Sequence, residues 1–179
     1  MSESLDLKSF IRDVPDFPKP GIIFKDITTL LKDGKQFQVA VNAIVEHFKP
    51  KEVEVVAAID SRGFIFGGAV AHLLGAGFVP IRKKGKLPHK IHQASYELEY
   101  GTDTLEIHQD AFKPNQRILL VDDLLATGGT AQASLQLIQK LKGQVVGVVF
   151  LIELAFLKGR KRLEADGVDI FSLISYDNE

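Results

Sequence analysis

The chain has 179 residues, 45% of them hydrophobic and 25% charged, which is the composition of an ordinary globular domain and excludes a disordered tail or a fibrous repeat. Its 22 basic and 23 acidic side chains leave a net charge of -1, so no overall basic field recruits nucleic acid or an anionic membrane. Cysteine is absent, which excludes disulfides, thiolate nucleophiles and zinc-thiolate sites and suits a reducing compartment.

The N-terminal MSESLDLKSF carries no basic-then-apolar signal pattern. The longest apolar stretch, 145–152, is broken by Gly147 and falls far short of the ~20 residues a membrane span needs. A cytoplasmic, single-domain protein is expected.

In chain order, residues 14–24 read VPDFPKPGIIF and predict an ordered, extended loop. Residues 36–48 follow, with Phe37, Val41, Ile44, Val45 and Phe48 at the spacing of one buried helix face. A strand over 53–59, a helix over 64–74 and a strand over 78–81 come next. Residues 83–103, with Gly85, Pro88 and Gly101, form a long excursion with weak strand signals at 95–100 and 105–108, more in keeping with a functional lid than with filler. A strand over 117–121 leads to a helix over 127–141 that turns Leu135, Ile138 and Leu141 inward, and strands over 145–152 and 170–174 complete the chain. The strands are almost continuously apolar, as in a parallel sheet covered on both faces, and their alternation with helices predicts an α/β fold with right-handed crossovers.

The stretch ILLVDDLLATGGT, residues 118–130, carries the most chemistry. A buried strand ends in two carboxylates, and a small glycine-bearing turn then opens a helix, at the end of the sheet where ligands of open α/β folds bind. Ala126, Thr127, Gly128, Gly129 and Thr130 can wrap a phosphate with backbone N–H groups, hydroxyls and the helix dipole. Asp122 and Asp123 can accept hydrogen bonds from the hydroxyls of a sugar attached to that phosphate, although paired aspartates at a strand end also suit a solvated loop or a metal site. The loop has neither the lysine of a P-loop nor the spacing of a dinucleotide fingerprint.

As a whole this stretch resembles the phosphoribosyl pyrophosphate (PRPP) signature of the type I phosphoribosyltransferases. Four further segments, in order, resemble the adenine-specific branch of that family: PKPGIIFKDIT (18–28) its base-binding hood, AIDSRGFIFG (58–67) its pyrophosphate loop, RKKGKLP (82–88) its lid entry and ASYELEYG (94–101) the lid. The resemblance covers nearly the whole chain. It implies a mostly parallel central sheet flanked by helices, with a small N-terminal hood over about residues 1–34 and a flexible lid over about 83–103. It also implies the transfer of a phosphoribosyl group from PRPP to adenine, giving AMP and pyrophosphate, by a homodimer using Mg²⁺ held mainly by PRPP and water.

The resemblance carries residue roles as well. Asp60, Ser61, Arg62, Arg82, Lys83 and Lys86 would meet the pyrophosphate, with Lys86 a candidate to reach across from a neighbouring subunit. Arg62 suits bidentate contact with phosphate oxygens, and the lysines act as point charges. The basic block from Arg82 to Lys90, read alone, is more often a solvated face.

For the base, an apolar clamp with a few fixed polar groups is needed, and Ile22, Ile23 and Phe24 can supply it or simply pack in a core. By resemblance the main chain of Ile23 and Lys25 reads the adenine edge, Phe24 packs on the ring, and Leu124 and Leu154 line the other face. Lys25 stands where some members carry arginine, which bears on a side-chain role more than on the backbone one. Glu99 is the candidate for proton handling at the base or for closing the lid, and with Arg62 forms the expected catalytic pair. A 6-oxopurine transferase and a non-catalytic PRPP sensor are the competing readings. The histidines His47, His72, His89, His92 and His108 are scattered and match no metal-ligand pattern.

Overall fold

The computed structural model describes residues 6–98, 101–164 and 167–178. After a 3₁₀ turn at Leu7–Phe10, two short strands, β1 (Arg12–Val14) and β2 (Phe24–Asp26), pair antiparallel as a separate sheet with Asp13 opposite Lys25 and Val14 opposite Phe24. The 14–24 segment is the connection between them, tied by the Gly21 N–H donating to Asp16 at 2.8 Å and by edge-on contact of the Phe17 and Phe24 rings.

A single-turn α1 (Thr28–Leu31) leads to α2 (Gly34–Phe48). Asp33 caps α2 by accepting from the N–H groups of Lys35 and Gln36, which places its start two residues before the apolar pattern begins. Next come β3 (Val55–Ile59), α3 (Gly63–Leu74), β4 (Gly77–Lys83), β5 (Ile91–Leu98), β6 (Gly101–His108) and β7 (Arg117–Leu125). The chain closes with α4 (Gly129–Lys140), β8 (Gln144–Leu154), α5 (Gly159–Glu164) and β9 (Ile170–Tyr176).

The main sheet has the order β5-β6-β4-β3-β7-β8-β9. From β4 to β9 it is parallel, as the apolar strands predict, whereas β6 runs antiparallel to both β4 and β5. Alternation along each strand builds two cores. Val56, Ala58, Leu119 and Val121 pack with α2 and α3 on one face, and Val55, Ala57, Ile118 and Leu120 pack with α4 on the other. The glycine that interrupts the last long apolar run has a packing reason, because a Cβ at Gly147 would collide with the Phe48 ring of α2.

Three expectations are redrawn. The strand expected to stop at Val121 continues through Asp122 and Asp123 to Leu125, because β8 pairs with it that far. The helix expected from Thr127 starts at Gly129, since Gly128 has φ +83° and a left-handed residue cannot lie inside a helix. The 83–103 excursion is largely an antiparallel hairpin, β5–β6, attached to the sheet by the pairing of Arg82 with Glu106 and Lys83 with Leu105.

Candidate active site

At the C-terminal ends of β3 and β7 lies an open cavity of about 450 Å³. It is the place where strand ends, the following turns and helix N-termini converge in a parallel sheet. Two chain turns form most of it: residues 59–62, which link β3 to α3, and residues 122–131, which carry β7 into α4.

The 126–130 turn is shaped by close approach. A Cβ on Gly128 would come within 2.9 Å of the Gly159 carbonyl oxygen, and a Cβ on Gly159 would run into the Ala126 carbonyl and reach 3.0 Å from Gly128 N. The first residue of α5 therefore buttresses the turn from behind, and only a hydrogen atom fits at either position. Ahead of it, the N-terminus of the 12-residue α4 turns its free N–H groups toward the cavity, a setting that favours an anion.

The two aspartates of β7 are nearly enclosed, at 9% exposure for Asp122 and 6% for Asp123. Burial, reinforced by the neighbouring Asp123 carboxylate, pushes Asp122 well above the ordinary carboxylate range. Burial also raises Asp123, against the opposing pull of the Arg62 guanidinium. Asp122 Oδ1 accepts from the backbone N–H of Asp123 at 2.9 Å, and Arg62 Nε stands 2.8 Å from Asp123 Oδ2. Behind them, Gly63 lies so close to β7 that a Cβ would sit 2.9 Å from the Val121 carbonyl, which lets the α3 N-terminus press against the strand.

The cations on the other side are all held by carboxylates. Arg82 Nε and Lys86 Nζ reach the same Asp60 Oδ2, at 3.0 and 3.5 Å, and Lys83 Nζ reaches Asp103 Oδ2 at 3.1 Å. Lys86 thus meets an aspartate of its own chain. The hydrogen bond to Asp103 raises the pKa of Lys83; burial works to raise that of Asp103, but the Thr104 N–H and Lys83 outweigh it and hold it down. The Asp60–Ser61 peptide that carries this turn is cis.

Of the residues expected from sequence, Asp122, Asp123, Ala126, Thr127, Gly128, Gly129 and Thr130 all line the cavity, as do Asp60, Ser61, Arg62, Lys83 and Leu124. Arg82 and Lys86 join them through Asp60. Phe24 stands at the edge, with the Arg62 guanidinium 5.2 Å from its ring centre. Ile23, Lys25 and Leu154 are not in the lining: Ile23 is 38% exposed just before β2, and the Lys25 side chain is buried elsewhere. Glu99 lies outside the described residues.

Tyr96 and Gly159 are the residues that sequence reasoning missed. Tyr96, on β5, lines the cavity, hydrogen-bonds Asp103 at 3.3 Å and also engages the Thr130 side chain, and burial raises its pKa. Its place within the quoted ASYELEYG segment was a signal. Gly159, thirty residues along the chain from Gly129, gave none.

A parallel sheet with a glycine-shaped anion turn, paired aspartates and clustered cations defines a phosphoribosyltransferase, and the phosphoribosyl transferase domain family matches residues 29–179. Within that family the chain belongs with the adenine phosphoribosyltransferases. It is 58% identical over 174 residues to adenine phosphoribosyltransferase of Desulfitobacterium hafniense, covering 97% of this chain and 99% of the relative. The crystal structure of adenine phosphoribosyltransferase from Rhodothermus marinus superposes with a TM-score of 0.92 at 52% identity, covering 97% of this chain and 98% of that one. The Saccharomyces cerevisiae enzyme, solved with an imino-altritol bisphosphate and adenine, gives 0.89 at 37% identity, covering 95% and 97%.

Proposed function

We propose that the protein transfers the 5-phosphoribosyl group of PRPP to N9 of adenine, giving AMP and pyrophosphate in purine salvage. The observation that carries this reading is the convergence, in one cavity, of an anion-binding helix entry, two buried carboxylates and the cations of the 60–62 turn and β4.

In this reading the N–H groups of 127–130 and the hydroxyls of Thr127 and Thr130 hold the 5′-phosphate. Asp122 and Asp123 meet the ribose hydroxyls, one carboxyl favoured toward its neutral form by burial and the other paired with Arg62. Arg62, Arg82, Lys83 and Lys86 face the pyrophosphate, with Asp60 and Ser61 shaping the turn that presents them.

As the N9–C1′ bond forms and the bond from C1′ to the pyrophosphate oxygen breaks, negative charge grows on the leaving group. Cations fixed beforehand by Asp60, Asp103 and Asp123 stabilise that charge without having to reorganise. Magnesium enters as part of the substrate, carried by PRPP, and adds charge neutralisation there. On the chain's side, Asp122 and Asp123 would stand beside metal-bound water. The β5–β6 hairpin, with Tyr96 against the site, is the element that would exclude water from C1′. Glu99 remains the candidate proton acceptor at the base or closing residue, and an unchanged chemical step in Glu99→Leu removes it from catalysis.

Ile23, Phe24 and the Lys25 main chain form one side of the base site, and Leu124 and Leu154 the other. Adenine rather than a 6-oxopurine is supported by the Lys25 ammonium, which bonds Asp13 at 2.8 Å on the face of β2 away from Phe24 and so offers no donor to a 6-oxo group. A homodimer is supported by Ile65 and Leu73 on α3 and Phe78 on β4, which expose between 41% and 53% of their surface. No helix among the described residues is long and apolar enough to cross a membrane, and the cysteine-free composition suits the cytoplasm.

The test is product formation from PRPP, Mg²⁺ and each purine base. AMP from adenine is expected, with hypoxanthine and guanine used at least ~100-fold less efficiently. PRPP binding without turnover of any base would favour the non-catalytic sensor instead.

A further inference from the structure

Strand alternation gives the first two residues of β2 opposite tasks. On β2, Phe24 meets the Arg62 guanidinium at the cavity edge, and the next side chain, Lys25, turns the other way. Lysine is seldom enclosed, yet this one is 9% exposed. Its ammonium bonds Asp13, the residue directly opposite on β1, and lies 4.2 Å from the centre of the Tyr176 ring.

Asp13 is half exposed, so water weakens its hold. Tyr176 is buried, at 9% exposure, and there a cation over an aromatic face is worth most. A second ammonium, that of Lys8, lies 4.3 Å from the same ring and donates to the Ser175 carbonyl. Tyr176 is the last residue of β9 and pairs with Leu154 at the end of β8.

We infer that Tyr176 is a positioning residue of the base site: its ring holds the Lys25 ammonium and so fixes the β2 main chain, and Phe24 with it, at the correct distance from Leu154. The inference rests on the reading of Ile23, Phe24 and Lys25 as base-binding. It gives the buried lysine a task that needs its charge and its length but no contact with substrate. The base site is then spanned by one strand from the N-terminal sheet and one strand end from the main sheet, and Tyr176 joins the two.

Steady-state kinetics with adenine and PRPP varied in turn, on the full chain, test this. Tyr176→Leu is expected to raise KM for adenine about 10-fold, with KM for PRPP and kcat changed less than about 2-fold. Tyr176→Phe keeps the ring and restores the adenine KM. Lys25→Met, which leaves Tyr176 in place should the leucine variant fold poorly, reproduces the rise, and the double variant is no worse than either single one. Equal losses toward adenine and PRPP, or a phenylalanine variant as impaired as the leucine one, would overturn the inference. Phe24→Ala separates it from the reading beneath it. A raised adenine KM in Phe24→Ala alone sinks only the role of Tyr176, and no rise in either variant sinks the base site with it.

Discussion

Arg62 and Asp123 form one ion pair at 2.8 Å, although the guanidinium belongs to the turn after β3 and the carboxylate to the end of β7. The group proposed for the leaving pyrophosphate and a group proposed for the ribose are therefore electrostatically joined before any substrate arrives. A phosphate that recruited Arg62 would draw it against the pull of Asp123, so in the proposed site binding at one end of PRPP would alter the carboxylate at the other.

Arg62→Ala is expected to lower kcat/KM for PRPP by about 100-fold, the scale of losing one charged donor aimed at a developing anion. Steady-state turnover with PRPP varied reads this directly. Unchanged turnover would reject the pyrophosphate assignment.

Asp122→Asn tests a conflict between stability and function. The raised pKa of Asp122, caused first by burial and then by Asp123, means its contribution to folding is complete only below the ordinary value of 3.8 and is lost as pH rises through the raised one. At pH 7 the asparagine, which still accepts from the Asp123 N–H, should raise Tm by roughly 3 °C, about what 1 kcal/mol does in a domain this size. PRPP binding should weaken at the same time. Thermal melts at several pH values should show the gain shrinking as the medium is acidified, and a gain that is constant with pH counts against a charge-based cause.

Gly159→Ala adds one methyl group where the Ala126 carbonyl already stands. The 126–128 turn must then move, and KM for PRPP is expected to rise by roughly 10-fold or more with adenine affinity little changed. Titration of each substrate would show whether the loss is confined to PRPP.

Asp26 carries a pH signature of the opposite sign. The Thr28 N–H, then Arg12 and the Thr28 hydroxyl, hold its carboxyl at about 2. Its stabilising effect is therefore present above the ordinary 3.8 and lost as pH falls through about 2. Asp26→Asn should cost about 0.5 kcal/mol at neutral pH, because the asparagine oxygen still accepts from the Thr28 N–H and what is lost is the charge facing Arg12, which is largely exposed and screened. Urea melts of both proteins should show a constant difference down to about pH 5 that narrows below about pH 4. A difference that persists in acid would show that the carboxylate charge is not involved.

The central sheet could be read from sequence because burial on both faces leaves strands such as VVAAI with no polar position to obscure them. The same reasoning ended β7 too early, since polarity at Asp122 looks like a strand end whereas the backbone pairing with β8 does not depend on side chains. The strands RDV and FKD were not legible as strands, because three mixed residues have no usable period and their pairing partner lies a proline-rich loop away. The anion turn was legible as a contiguous motif. Gly159 was not, because its constraint comes from a backbone that is remote in sequence. Lys25 was legible as a position but not as a direction, since the turn of its side chain toward Tyr176 follows from which face of β2 meets the main sheet.

The β5–β6 hairpin joins the rest of the sheet through β4 at Arg82 and Lys83, with the Lys84 N–H donating to the Thr104 carbonyl just beyond, and Arg82 and Lys83 also carry cations of the candidate site. In the proposed closure the hairpin would be a lever whose fulcrum is the grip itself. A swing of the hairpin would then turn the peptide planes that aim Arg82 and Lys83, so that covering the sugar and tightening on the departing phosphates would be one mechanical stroke.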